Sequence, residues 1–185
     1  GSLEDIKDLT TRDGNVRFVS LSRNFGHQAA LFAGLKTCKG DAVITLDADL
    51  QHPPELISDM VSKWREGYEV VFTIKSNHHL GWLKGAQMRL FYWTLSRISG
   101  LHLSFGQSDF RLLDRRALDA VLEITEYRKF LRGTVEWVGF KQIGIEYEVG
   151  ERYSGSSKFS YRSMVSFALD GILSFSSLPL RLFTW

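Results

Sequence analysis

The stretch Asp41-Ala42-Val43-Ile44-Thr45-Leu46-Asp47-Ala48-Asp49-Leu50-Gln51-His52-Pro53-Pro54 constrains this chain more than any other. Ala42 to Leu46 is a short, partly β-branched apolar run, the pattern of a strand covered on both faces. It stops at two carboxylates, Asp47 and Asp49, and the amide of Gln51 follows at the next alternate position. Open α/β sheets bind their ligands at the carboxyl ends of strands, and three oxygen donors at spacing two can face one point. Carboxylates this close repel unless a cation or buried donors offset them. Oxygen-only donors suit a hard ion, so Asp47, Asp49 and Gln51 are candidate ligands for Mg²⁺ or Mn²⁺, with water and substrate phosphate completing the shell. The competing reading of the same residues is a turn whose carboxylates cap the helix that follows.

The surroundings predict an α/β domain. Leu3, Ile6 and Leu9 have helical spacing, Asp13-Gly14-Asn15 is a turn, and Val16 to Leu21 reads as a strand. Gly26 to Lys39 is a small-residue helix ended by Gly40. Pro53-Pro54-Glu55 opens a helix whose apolar stripe is Leu56, Ile57, Met60, Val61 and Trp64, closed by Gly67, and Val70 to Ile74 is a further strand. Strands and helices in alternation with short connections imply parallel β-α-β units and a mostly parallel sheet flanked by helices.

The second half is richer in aromatic and basic residues. Leu80 to Ser99 reads as an amphipathic helix with Trp82, Phe91, Tyr92 and Trp93 between Lys84, Arg89 and Arg97. Asp109 to Leu113 is a strand that Asp114 caps into a helix from Arg115 to Ile124. Asp109 itself suits either a cap or a partner for a nearby arginine. Tyr127 to Trp137 reads as a helix and Gln142 to Val149 as a half-exposed strand. Glu151 to Ser160 holds Gly155 and four serines, a mobile loop in which Arg152 and Lys158 can close over phosphate, or else a solvated linker. Tyr161 to Phe175 is amphipathic and reads as a helix lying along a membrane surface, with an ordinary core helix as the alternative.

Composition excludes several classes. With 185 residues, 44% hydrophobic and 24% charged, the chain has ordinary globular composition and is long enough for one sizeable core. A net charge of +2 and a pI near 8.7 are too mild to argue for nucleic acid. The single cysteine, Cys38, rules out an internal disulfide or a cysteine-cluster metal site; it reads as a packing residue and fits a reducing compartment. No run of eighteen apolar residues is present.

Four segments, Ser22-Arg23-Asn24-Phe25-Gly26-His27-Gln28, Asp47-Ala48-Asp49-Leu50-Gln51, Asp109-Phe110-Arg111-Leu112 and Glu151-Arg152-Tyr153-Ser154-Gly155-Ser156-Ser157-Lys158, resemble family-2 glycosyltransferases acting on polyprenyl phosphates. That group includes dolichyl-phosphate mannosyltransferase and the bacterial bactoprenol glycosyltransferases. The resemblance runs from about Leu3 to the last residue and implies a GT-A-like fold. It also implies that the first two strands, with the motifs that hold base and ribose, are lacking, which leaves an exposed sheet edge and favours a homo-oligomer. On this basis residues 1–160 are expected to be an N-terminally incomplete catalytic domain, and residues 161–185 an amphipathic segment leading into a membrane region.

The implied reaction is metal-dependent transfer of a sugar from a nucleotide-diphosphate sugar to a polyprenyl phosphate, at the cytoplasmic face of a membrane. The resemblance places Asp109 by the acceptor, and Lys75, Lys84 and Arg89 near the acceptor phosphate. Arg111, Arg152 and Lys158 join them in relieving the repulsion between two anionic substrates. Haloacid-dehalogenase phosphatases also carry Asp-x-Asp after a strand, but normally have threonine where this chain has Gln51 and an apolar residue where it has His52. A non-catalytic glycosyltransferase-like module for membrane docking or assembly is the remaining alternative, and metal-dependent hydrolysis of sugar nucleotides discriminates against it.

Overall fold

A computed structural model of the protein describes residues 2–76, 96–97, 106–125 and 130–148. Expectations for Leu80 to Ser99, apart from residues 96–97, and for everything after residue 148 lie outside these residues. The chain divides into two compact units, Gly1–Lys39 and Gly40–Trp185.

The first unit contains α1 (Ser2–Arg12) and α2 (His27–Thr37). The turn at Asp13 forms as its residues require, the Asp13 carboxylate accepting the Asn15 N–H at 2.9 Å. Val16 to Leu21 is not a strand. Its β-branched and aromatic residues have strand composition, but no described strand pairs with them, and Phe18, Val19 and Leu21 stay exposed. Propensity without a neighbouring ladder does not make a strand. Helix α2 stops at Thr37, before Gly40, as Cys38 turns extended.

The second unit is built on four strands, β1 (Ala42–Thr45), β2 (Val70–Lys75), β3 (Gln107–Asp114) and β4 (Gln142–Tyr147), in the order β1-β3-β2-β4. Helix α3 (Leu56–Arg65) links β1 to β2, and α4 (Arg115–Glu123) and α5 (Leu131–Trp137) lie between β3 and β4. Strands β1, β2 and β4 run in one direction, and β3 runs against its neighbours β1 and β2. The expected β-α-β unit from β1 to β2 is therefore present with its two strands held one position apart, and the returning β3 fills the gap. The sheet is mixed, and the α/β character with flanking helices is as the alternation of elements implies.

Successive residues of a strand face opposite sides. Phe110 and Leu112 of β3, with Val71 of β2, pack on Met60 of α3, and all four are fully buried. Ile44, Leu56, Ile57, Val61 and Trp64 close over them. The next-door residues Asp109 and Arg111 are left for the other face, where Arg132 of α5 meets Asp109. In β4, Gly144 sits opposite Phe72, and a Cβ there would lie 2.7 Å from Ile74 Cδ1. A side chain at that point would displace the end of Ile74 and press on the Phe72 ring.

Asp114 ties these layers together. One carboxylate oxygen accepts the Arg116 N–H at 2.9 Å as the N-cap of α4, and the other accepts the Trp64 indole N–H of α3 at 2.8 Å. Asp114→Ala removes both and is expected to destabilise the protein by about 2 kcal/mol in urea unfolding. Asp114→Asn, which keeps one acceptor, is expected to lose less; equal stability of wild type and Asp114→Ala would contradict this account.

Candidate functional site

The site lies at the carboxyl ends of β1, β2 and β4, where the reversed β3 begins. Thr45, the last residue of β1, donates its hydroxyl to the carbonyl oxygens of Asp109 and Arg111, which joins the end of β1 to the start of β3. Beyond it the chain leaves as a loop in which Asp47, Asp49 and Gln51 are half-buried while Leu46, Ala48 and Leu50 are exposed. All three oxygen donors are thus partly withdrawn from solvent, in a turn rather than in continued strand. Leu50 reaches this arrangement with φ of 60°, a left-handed backbone that costs a branched residue about 1 kcal/mol or more.

The two readings of the paired carboxylates divide between the residues. Asp49 does make a turn, its Oδ1 accepting the Gln51 N–H at 3.1 Å. Neither aspartate caps α3. That helix begins at Leu56, and its first N–H groups bond to the carbonyls of Pro53 and Pro54. Asp47 instead faces His52, with 3.9 Å between Oδ2 and Nδ1.

His52 is a core residue of the site that the sequence reading used only to argue against a phosphatase. Its ring is held between Phe110, at 5.3 Å between centroids, and the edge of Tyr147, at 5.8 Å. Its Nε2 lies 2.9 Å from the Ser108 hydroxyl. Burial lowers its proton affinity below the usual histidine range, with Asp47 acting in the opposite direction and Lys75 reinforcing the burial. Its burial thus favours the neutral ring. Tyr147 is pushed the other way, its hydroxyl harder to ionise through burial, with Asp47 and Asp49 contributing. Lys75, at the end of β2, is thus close enough to act on His52, at the same edge as the carboxylates.

On the opposite face of β3 the Asp109 carboxylate accepts the Nε–H of Arg132 at 2.8 Å and lies 3.8 Å from Arg111. Arg111 has no exposed surface; one of its N–H groups donates to the Ser108 carbonyl at 3.0 Å, while Nε and Nη1 have no hydrogen-bond partner among the described residues. Burial drives its pKa down to about 10, partly offset by Asp109, so it stays charged at neutral pH. Arg111 was expected to face substrate phosphate, and the structure sets it behind Asp109 instead. Arg132 is the cation at the surface there, with 24% of its side chain exposed. Sequence had placed it on a helix without a role. Lys84, Arg89, Arg152 and Lys158 lie outside the described residues.

Among the described residues no group of three or more His, Cys, Asp or Glu side chains is assembled for a metal ion. The donors present, two carboxylates and one amide oxygen, fit a hard divalent cation that takes its other ligands from phosphate and water, and do not fit zinc. No helix among them is long and apolar enough to cross a membrane.

Residues 1–122 match the sequence profile of glycosyl transferase family 2. An uncharacterized glycosyltransferase, YkcC, of Bacillus subtilis is 40% identical over 98% of this chain and 56% of its own length. A prophage bactoprenol glucosyl transferase homolog of Escherichia coli is 38% identical over 97% of this chain and 59% of its own. The chain thus spans a little over half the length of these curated relatives. Among solved structures, 4-diphosphocytidyl-2C-methyl-D-erythritol synthase from Anaerococcus prevotii superposes with a TM-score of 0.50 at 16% identity, covering 89% of this chain and 72% of that one. That likeness concerns the fold alone, and it agrees with a GT-A-like α/β domain.

Proposed function

The chain belongs to glycosyl transferase family 2, and we propose that it transfers a sugar from a nucleotide-diphosphate sugar to a polyprenyl phosphate at the cytoplasmic face of a membrane. The observation that carries this reading is the half-buried set Asp47, Asp49 and Gln51 just past the end of β1, with the cation Lys75 at the same edge of the sheet and Arg132 beside Asp109 on the other face of β3. Relatives named as bactoprenol glucosyl transferases support the lipid phosphate as acceptor.

In this reading Asp47, Asp49 and Gln51 would hold Mg²⁺ or Mn²⁺. Such an ion, when bound, would supply Lewis-acid stabilisation of the charge on the departing nucleoside diphosphate. The acceptor phosphate oxygen forms the new bond to the anomeric carbon as the bond to the diphosphate breaks. A phosphate is already ionised near neutral pH, so no strong base is needed. Asp109, engaged with Arg132, serves mainly to orient that guanidinium, and Arg132 and Lys75 offset the repulsion between two anionic substrates. Lys84, Arg89, Arg152 and Lys158 complete the cationic set in this proposal, and the segment 161–185 holds the domain at the bilayer surface.

The test is a transfer assay with the protein, polyprenyl phosphate in detergent, and a panel of UDP- and GDP-sugars. One donor is expected to yield a sugar-linked lipid phosphate, with the yield lost on chelation and restored by Mn²⁺ or Mg²⁺. Transfer that survives chelation would remove the metal from the reading, and a protein that binds donors yet modifies no lipid phosphate would remove the acceptor.

A further inference from the structure

Resting on the reading of Asp47 and Asp49 as ion ligands, we propose that His52 is a positioning residue. From beneath the loop that leaves β1, its Nδ1–H orients the Asp47 carboxylate while the Ser108 hydroxyl donates to Nε2.

Four observations carry the inference. The ring is almost wholly enclosed, with 1% of the side chain exposed, and Phe110 and Tyr147 limit its rotation. The Ser108 hydroxyl oxygen accepts the Phe110 N–H at 3.2 Å and lies 2.9 Å from His52 Nε2. That oxygen still carries one proton, which can be donated to Nε2, and a ring that accepts there carries its own proton on Nδ1. At the other end Nδ1 faces Asp47 Oδ2. A carboxylate only accepts, so a lone pair on Nδ1 would be repelled there and a proton attracted. The Asp47 end of the ring selects this tautomer, and the Ser108 hydroxyl can serve it as donor.

Nδ1 is buried and has no hydrogen-bond partner among the described residues. Its 3.9 Å separation from Oδ2 is longer than a hydrogen bond. A buried donor left without a partner is costly, and Asp47 is the group free to move, with 39% of its side chain exposed. Closing the gap satisfies the Nδ1 proton and leaves the second oxygen of Asp47 for the ion. Groups that hold a ligating side chain in this way typically change metal affinity by about 10–100-fold when removed. The role is mechanical and needs no change in the ring's charge.

Two measurements test it, neither depending on turnover. In ¹⁵N-histidine NMR of the metal-free protein, His52 is expected as the neutral Nδ1–H tautomer, and in Ser108→Ala as a mixture. The Nε2–H form in the wild type would overturn the proposal. In calorimetry with Mn²⁺ alone, His52→Gln, whose amide replaces the Nε2 end of the ring, is expected to bind about 10-fold or more weakly. His52→Asn, whose amide replaces the Nδ1 end, is expected to recover most of the affinity, a distinction that a purely space-filling histidine would not produce. A wild type that binds no Mn²⁺ would refute the metal reading itself. A wild type that binds, with His52→Gln and Ser108→Ala binding equally well, would refute only the role of His52.

Discussion

Asp49→Asn is expected to lower metal-dependent turnover by about 10²–10³-fold while leaving the unfolding transition nearly unchanged. The two halves of this expectation have separate causes. The asparagine Oδ1 can still accept the Gln51 N–H, so the turn that Asp49 makes at 3.1 Å survives. The lost element is one negative charge from a site with only two carboxylates to offer an ion, since no third His, Cys, Asp or Glu is assembled with them among the described residues. Gln51→Ala, which removes a neutral ligand, is expected to be milder. Mn²⁺ calorimetry alongside the transfer assay checks both, and an unchanged Mn²⁺ affinity in Asp49→Asn would show that the carboxylates do not hold the ion.

Asp109→Asn is expected to act first on stability, by about 3 kcal/mol in urea unfolding. Arg111 is completely buried and stays charged at neutral pH, and Asp109 is the largest favourable influence on its charge, with Glu136 a lesser one. Removing the carboxylate strands the guanidinium. Arg111→Met in the same background removes the stranded charge and is expected to recover most of the loss, while Arg111→Met alone is expected to be neutral or slightly stabilising. The pair also separates folding from function. If Asp109 orients Arg132 for an anionic substrate, the double variant regains stability but not transfer. Wild-type stability in Asp109→Asn would mean that Arg111 is compensated elsewhere, and restored transfer in the double variant would mean that Asp109 serves the fold alone.

The residues lying outside regular structure show where sequence patterns stop being informative. Val16 to Leu21 has the composition of a strand and is not one, because a strand exists only as part of a ladder, and composition says nothing of the partner. The turn at Asp13, the cap at Asp114 and the glycine that ends α3 were legible because each is satisfied within a few residues. Arg132 was visible as a basic residue on a helix, but nothing near it in sequence points to a carboxylate 23 residues earlier.

By itself the sequence outlined the described strands and helices between Ala42 and Tyr147 and set two carboxylates just past β1, since hydrophobic period and capping act over short range. Four motifs in order were also enough to point to the family. Only the tertiary structure decided that β3 enters between β1 and β2, and with it the rest of the site. That insertion sets Ser108 and Asp109 back to back on one strand. Ser108 meets His52 beneath the paired carboxylates, and Asp109 meets Arg132 and Arg111 on the other face. The physical reason is that strand pairing and ion pairing are made between distant segments, and their energy depends on where the folded sheet brings those segments together.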